Sequence, residues 1–267
     1  MNQQSKVAVV GAGIMGEALI SALISSGVNP ELITISEKRA DRSAELIAKY
    51  SIRQAPLATN VAAADALLLV IKPQDMAAVL EEIKEFINPA AVVITFVAGK
   101  TISFISSALG TANPVIRVMP NTPTMVGAGM AAASMGAGVT DDHKKFVLGF
   151  LAATGKVIEV SEDLQDAVTA TSGSGPAYFF AFVEAMVAGA KELGLSQEDA
   201  TTLTIQTIVG AAKLLDESGK SATTLRENVT SPNGTTAAAL ASFGASDLNS
   251  MVAKAMKAAS DRSQELA

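Results

Sequence analysis

Residues 6–16, KVAVVGAGIMG, decide the expected fold, because they join a short apolar run to three closely spaced glycines. The apolar residues 7–10 predict a buried strand, and the pattern of residues 14–26 predicts a helix. The glycines have the spacing G-x-G-x-x-G. A strand, this glycine spacing and a helix in immediate succession indicate a dinucleotide site.

Each of the three glycines has its own expected role in such a site. Gly11 permits the tight turn off the strand, Gly13 lets the backbone approach a pyrophosphate, and Gly16 lets the helix pack against the strand. The first helical turn, which includes Ile14 and Met15, offers unpaired N–H groups and a partial positive charge to the phosphates.

The composition of the chain excludes several classes of function. A net charge of −6 and the lack of a basic run argue against a nucleic-acid partner. With no cysteine and a single histidine, His143, the chain offers no disulfide, no thiolate nucleophile and no cysteine- or histidine-rich metal site. His143 lies in the charged stretch DDHKK, where we expect a solvated helix position, and we expect no bound metal.

The first residues and the apolar runs predict where the protein works. The N-terminal MNQQSK lacks the charged and apolar regions of a signal peptide. No apolar run has the length needed to span a bilayer. We therefore expect a soluble, cytoplasmic protein without a membrane partner.

Apolar runs alternate with helical patterns through the first part of the chain, whose length of 267 residues suits two domains. After the first strand, we predict strands at 32–36, 66–71, 91–97 and 115–119, with short edge strands near 130–133 and 157–160. This alternation predicts an α/β fold with a parallel, doubly wound sheet of the Rossmann type.

The pattern changes near Ser161, where strand-like runs give way to alanine-rich helical stretches. We therefore predict a dinucleotide-binding domain at 1–161 and an all-α domain at 162–267. A kink or break is expected where TSGSGP at 171–176 interrupts the helical pattern. A turn is expected at SPNG, residues 231–234.

Three rigid loops follow predicted strands, at the edge where doubly wound sheets bind ligands. They are Lys-Pro at 72–73, AGKT at 98–101 and MPNTP at 119–123. One such loop would be ordinary strand termination, but three beside the glycine loop predict a cofactor cleft. Glu37 lies 21 residues after Gly16, near where this fold places the acid that binds the ribose.

The segment NVTSPNGTT, residues 228–236, forms a turn that opens into a helix. Such a turn offers consecutive free N–H groups and hydroxyls, which suit a carboxylate. Ordinary capping of the helix by Ser or Thr explains the same pattern. The hydroxyl of Thr236 therefore either caps the helix or faces a ligand.

In this order, the motifs resemble those of pyrroline-5-carboxylate reductases over nearly the whole chain. The segments that carry the resemblance are the glycine loop, VIKP at 70–73, AGKTI at 98–102, RVMPNTP at 117–123, DAVT at 166–169, SGSGPAY at 172–178 and residues 228–236. Asn233 stands where the family usually has a second glycine after the proline. Because Asn tolerates a positive φ, the turn can still form.

The resemblance implies reduction of 1-pyrroline-5-carboxylate to L-proline by hydride transfer from NAD(P)H, the last step of proline synthesis. It also implies that the helical domain dimerises and completes the substrate site. Such dimers can assemble further into larger rings. The alanine-rich helices beyond Ser161 would form a thin core alone, so we expect an obligate homodimer.

The resemblance further implies two groups of site residues. Thr236 would hydrogen-bond the ring nitrogen of the substrate and Lys72 would border the nicotinamide, and we assign both as catalytic. The substrate carboxylate and ring would contact Ser231, Asn233, Gly234, Thr235 and Thr236. The cofactor would contact Gly11, Gly13, Ile14, Met15, Gly16, Ser36, Glu37, Lys38, Arg39, Val70, Lys72, Pro73, Ala98, Gly99, Met119, Pro120 and Asn121.

The residues after the second strand carry opposing charges. Glu37 would repel a 2′-phosphate and accept from a ribose 2′-hydroxyl, whereas Lys38 and Arg39 would attract the phosphate. We expect NADP(H) as the cofactor, with NAD(H) usable, and the sequence leaves the balance between the two open.

Two other functions remain alternatives. A β-hydroxyacid-dehydrogenase-like oxidoreductase shares the two-domain plan but typically needs a catalytic lysine in a helix of the second domain. Lys191 and Lys213 are the candidates, and neither lies in a recognisable motif. The other alternative is a non-catalytic scaffold that senses a dinucleotide.

Overall fold

The computed structural model describes residue 1 and residues 4–266 of the chain. Its contacts form two compact units, one of Met1–Ser174 with the end of the chain from Ala259, the other of Gly175–Ala258. The helical domain predicted at 162–267 thus shares its first turns and its last residues with the first unit. The predicted boundary itself stays a prediction.

The first unit is built on an eight-stranded sheet. Its strands are β1 Val7–Val10, β2 Ile33–Ser36, β3 Arg53–Gln54, β4 Ala66–Leu69, β5 Val92–Thr95, β6 Val115–Met119, β7 Gly129–Met135 and β8 Gly155–Glu159. The spatial order is β3-β2-β1-β4-β5-β6-β7-β8. Because β1 pairs in parallel with both β2 and β4, the strand order reverses beside the glycine loop, and ligands of this fold bind at that point.

One pairing departs from the parallel sheet expected from the sequence. Strand β7 runs antiparallel to β6, whereas the other neighbouring strands pair in parallel. The connection from β6 to β7 contains only a short 3₁₀ turn, Thr122–Val126, and is too short for the crossover that parallel pairing requires. Strands β7 and β8 do extend the edge of the sheet, as predicted.

The helices of the first unit cover both faces of the sheet. They are α1 Ile14–Ser25, α2 Ala40–Tyr50, α3 Leu57–Ala63, α4 Met76–Ile83, α5 Ile102–Leu109, α6 Asp141–Ala152 and the short α7 Gln165–Val168. Val7 and Val9 of β1 pack in one hydrophobic cluster, and Ala8 and Val10 pack in the other. Burial of both faces explains why these strands are continuous apolar runs in the sequence.

The sole histidine of the sequence lies on α6, as expected, but is half-buried rather than solvated. The Thr140 hydroxyl accepts from the His143 N–H, and His143 Nδ1 accepts from the Thr140 N–H, both at 3.3 Å. Burial lowers the pKa of His143 below its ordinary value. His143 therefore completes a reciprocal cap of α6.

A buried arginine ties the end of the chain to the sheet. Arg117 of β6 lies 3.4 Å from Glu162 and 3.7 Å from Asp166. The hydroxyl of Ser263 donates to the same Asp166 carboxylate at 2.7 Å. The last turns of the chain thereby belong to the first unit.

Beyond α7 the chain is helical, as predicted. A π-helical turn, Thr169–Gly173, forms the expected break. The remaining helices are α8 Gly175–Glu192, α9 Gln197–Glu217, α10 Ala222–Asn228, α11 Thr235–Ala245 and α12 Leu248–Glu265. Within residues 175–258, all of which the structure describes, Ala200 alone among the hydrophobic side chains is fully buried. None of the helices in the described part of the chain is both long and apolar enough to cross a membrane.

Candidate active site

The three glycines of the first loop occupy three different environments. A Cβ atom on Gly11, whose φ is +87°, would lie 2.4 Å from the carbonyl oxygen of Val70. A Cβ on Gly16 would lie 2.4 Å from the carbonyl oxygen of Gly11. At Gly13 no atom lies within 4 Å of that position. Gly11 and Gly16 are thus required by the packing of the protein itself, whereas Gly13 borders the open space that a pyrophosphate needs.

A cavity of about 750 Å³ opens beside this loop, at the carboxyl ends of β1, β2 and β4. Its volume lies within the usual range for cofactor sites. Seven of the predicted cofactor residues line it: Gly11, Gly13, Ser36, Glu37, Lys38, Val70 and Lys72. The residues present therefore fit a dinucleotide, since the lining combines glycine backbone with polar side chains at the end of β2.

Two groups of residues that were not predicted from the sequence line the same cavity. Residues 54–57 come from β3 and α3, which were not predicted, because β3 is only two exposed residues without an apolar pattern. Asp75, Val79 and Glu82 line the cavity from α4 and its N-terminus. Their spacing of four and three residues puts them on one helix face. This spacing is visible in the sequence and could have indicated that the three residues face the same cavity.

Glu37 is held against the glycine loop by main-chain hydrogen bonds. Its Oε2 accepts from the Ala12 N–H at 2.9 Å, and its Oε1 accepts from the Arg39 N–H at 3.0 Å. The Ala12 carbonyl oxygen accepts from Arg42 Nε at 3.1 Å. Both hydrogen-bonding groups of Ala12, inside the loop, are therefore fixed by side chains from beyond β2.

Arg42 is itself fixed by two acids. It pairs with Glu17 of α1, and it donates to Glu45 at 2.7 Å. Hydrogen bonds from Lys49, Arg42 and Tyr50 outweigh burial and lower the pKa of Glu17 from 4.5 to about 2. Glu17 is therefore ionised at neutral pH, and α1, α2 and the glycine loop form one charged network.

The other predicted cofactor residues do not line this cavity. Ile14 is exposed, Met15 packs on the core, and Gly16 packs against the Gly11 carbonyl. Arg39 and Pro73 follow β2 and β4 outside the lining, and Ala98 and Gly99 follow β5. Met119, Pro120 and Asn121 lie at the carboxyl end of β6. Whether these residues contact the cofactor stays a prediction.

The Asn121 side chain is engaged by main chain on both sides. Its Oδ1 accepts from the Met130 N–H at 2.9 Å, and its Nδ2 donates to the Ser172 carbonyl at 3.1 Å. It thereby ties the loop after β6 to β7 and to the π-helical turn. Turns of this kind often occur at functional sites.

In the second unit, the predicted substrate residues form a turn at the start of α11. The Gly234 N–H donates to the Ser231 carbonyl at 3.0 Å, and Asn233 has a φ of +60°, as its tolerance of that conformation predicts. Gly234 is the N-cap of α11 and no side chain caps it. The N–H groups of Thr235 and Thr236 therefore have no carbonyl partner within the helix. The alternative that Thr236 caps the helix is wrong.

The environments of Gly13 and Gly16 predict opposite phenotypes. We expect Gly13→Ala to keep the melting temperature within a few degrees while weakening binding of ADP-ribose at least about tenfold, since its methyl group enters the pyrophosphate space. We expect Gly16→Ala to be destabilised by more than about 1 kcal/mol, since its methyl group collides with the loop. Thermal unfolding and calorimetric titration measure both. Normal binding by a folded Gly13→Ala variant would contradict this assignment.

Family models match both parts of the chain. Residues 162–266 match the model for pyrroline-5-carboxylate reductase dimerisation. Residues 6–99 match the model for NADP oxidoreductase, coenzyme F420-dependent.

Known proteins match over the full length. The pyrroline-5-carboxylate reductase of Pseudomonas aeruginosa is 39% identical, covering 98% of this chain and 97% of the relative. Pyrroline-5-carboxylate reductase 1 of Bacillus subtilis is 37% identical over 98% of this chain and 90% of its own.

Solved structures agree with these relatives. The pyrroline-5-carboxylate reductase of Coxiella burnetii has a TM-score of 0.90 at 34% identity, over 99% of each chain. The Plasmodium falciparum pyrroline carboxylate reductase with NADP bound has a TM-score of 0.88 at 27% identity, over 100% of this chain and 99% of that one. The resemblance of the sequence motifs is thus confirmed, and this chain belongs to the pyrroline-5-carboxylate reductase family.

Proposed function

We propose that this protein reduces 1-pyrroline-5-carboxylate to L-proline with NAD(P)H, in the cytoplasm. The observation that carries the proposal is the pair of glycine environments in a chain of this family, closed at Gly11 and open at Gly13. A non-catalytic scaffold would share them, so turnover is the deciding measurement.

The first unit would hold the cofactor, which supplies the hydride for the imine carbon. The loop at Gly13 and the start of α1 offer N–H groups and a positive helix end to the pyrophosphate. Ser36, Glu37 and Lys38 line the part of the cavity suited to the adenosine ribose. Lys72 would border the nicotinamide at the end of β4.

The turn before α11 would hold the substrate. The free N–H groups at the start of the helix suit the carboxylate, and the partial positive charge of the helix end adds to this attraction. The half-buried Thr236 would place its hydroxyl at the ring nitrogen. A protonated cyclic imine is already electrophilic, so orientation and exclusion of water account for most of what the protein must supply.

The hydroxyacid dehydrogenase alternative gains no support from its candidate lysines. The side chain of Lys213 is 70% exposed and pairs at 3.8 Å with Glu217 of the same helix. Lys191 is also exposed. Lys213 is thus already engaged within its own helix, and neither lysine lies in a recognisable motif.

We also propose that a second copy of this chain covers the helices of the second unit. That unit has almost no buried apolar side chain of its own, yet it exposes many large ones. The exposed residues include Phe179, Phe180, Phe182, Leu203, Ile205, Val209, Met251 and Val252. An apolar surface of this extent is typical of an obligate interface.

The reaction predicts a cofactor-dependent turnover. Purified protein should oxidise NADPH or NADH when 1-pyrroline-5-carboxylate is added, and L-proline should form in equal amount. A β-hydroxyacid offered with the oxidised cofactor should give no comparable rate. Folded protein that shows no turnover with either reduced cofactor would overturn the proposed function.

The exposed helical surface predicts the effect of a buried charge. We expect the natural protein to sediment as a dimer or a larger assembly, and Phe180→Asp to weaken that assembly at least about tenfold, because a carboxylate would be desolvated in the interface. Phe86→Asp makes the same exchange at an exposed site of the first unit and should leave the assembly intact. Identical sedimentation of the Phe180→Asp variant and the natural protein would contradict the interface.

The proposed role of Thr236 predicts a loss in catalysis and not in folding. Thr236→Val keeps the shape and removes the hydroxyl, so kcat/KM for 1-pyrroline-5-carboxylate should fall at least about tenfold. Cofactor affinity and melting temperature should barely change.

Thr201→Val is the matched control, since the Thr201 hydroxyl donates within its own helix. It should keep normal kinetics. A Thr236→Val variant that also keeps normal kcat/KM would remove Thr236 from the site.

A further inference from the structure

The end of β2 places an acidic side chain directly beside the glycine loop. Val10 of β1 is in register with Ser36 of β2, and the Gly11 N–H donates to the Ser36 carbonyl at 3.0 Å. Glu37 is the next residue and lines the nucleotide cavity. In doubly wound folds, an acid at this place hydrogen-bonds the ribose 2′-hydroxyl.

The carboxylate of Glu37 is fixed in this position. Its two oxygens accept from the Ala12 and Arg39 N–H groups, and the side chain is only 13% exposed. Turning away from the cavity would break both hydrogen bonds. Because each carboxylate oxygen has two lone pairs, each can still accept from a ligand hydroxyl.

The basic side chains nearby are unequally placed to receive a phosphate. Arg42 is committed to two acids and to the Ala12 carbonyl. Arg39 is 61% exposed, lies 4.0 Å from the Glu37 carboxylate and does not line the cavity. Of the three basic residues close to Glu37 in sequence, only Lys38 lines the cavity.

A 2′-phosphate would therefore meet a fixed carboxylate with one lysine to offset it. Partly buried charges interact more strongly than charges in water, and the hydrogen bonds to the Glu37 carboxylate prevent it from turning away from the phosphate. A 2′-hydroxyl, in contrast, would find an acceptor already in place.

We propose that Glu37 is a specificity-determining residue of this protein: its fixed carboxylate favours NADH by binding the ribose 2′-hydroxyl and penalises the 2′-phosphate of NADPH. Both cofactors can still be used, and Glu37 shifts the balance towards NADH. This inference rests on the proposed function in that the cavity takes the cofactor of that reaction.

The test compares two ligands that differ only at the 2′ position. ADP-ribose and its 2′-phosphate are titrated calorimetrically into the full-length protein and its Glu37→Gln variant, without substrate. Glu37→Gln keeps the shape and an acceptor oxygen but removes the charge. In the Glu37→Gln variant, we expect the affinity for the 2′-phosphate to rise at least tenfold relative to the affinity for ADP-ribose.

Matched variants separate charge from structure. Glu31→Gln removes a charge from an exposed acid that pairs with Arg53, and it should leave the ratio within about twofold. Glu37→Asp keeps the charge and should also keep the direction of preference. Glu37→Ser is a second variant without charge and should change the ratio in the same direction as Glu37→Gln. If Glu37→Gln does not fold, Glu37→Ser tests the role of the charge instead.

Two results would overturn the inference. An unchanged ratio in both charge-free variants would mean that Glu37 has no role at the 2′ position. An equal loss of affinity for both ligands would mean that Glu37 only holds the loop. Because no substrate is present, either result is independent of whether the protein turns over 1-pyrroline-5-carboxylate.

Discussion

The cavity beside β1 depends on one constraint, the close packing of the glycine loop against neighbouring main-chain oxygens. Neither Gly11 nor Gly16 can carry a side chain, because carbonyl oxygens occupy the space where a Cβ would lie. Ala12 between them is held through both its N–H and its carbonyl oxygen. A loop fixed at successive residues is already ordered, so a ligand does not have to order it on binding.

Much of the first unit could be predicted from the sequence, because strands buried on both faces are unmistakable apolar runs. The exceptions have physical causes. Strand β3 is short and exposed, and no apolar pattern marks it. The direction of β7 depends on the length of a connection and not on the residues of the strand itself. Strands that a local apolar pattern marks could therefore be predicted from the sequence. The direction of strand pairing could not, because it depends on the length of the connecting chain.

The candidate site shows the same division. The glycine loop and Lys72, which line the cavity, could be recognised from the sequence because neighbouring residues carry the pattern, and their contact with a cofactor stays a prediction. The clamp on Ala12 joins Glu37 and Arg42 to a residue far back in the chain, and no local pattern shows such a pairing. The balance between Glu37 and its basic neighbours could not be settled from residue types, because it depends on which side chains face the cavity.

The bond from Ser263 to Asp166 has a consequence for how the chain reaches its folded state. Chains generally fold from the N-terminus while the ribosome is still extending them. Here the last part of the first unit is synthesised only after all of residues 175–258. Until α12 emerges, the charged cluster around Arg117 lacks one of its partners. The first unit therefore cannot be completed during synthesis ahead of the helices that follow it, and its maturation is coupled to theirs.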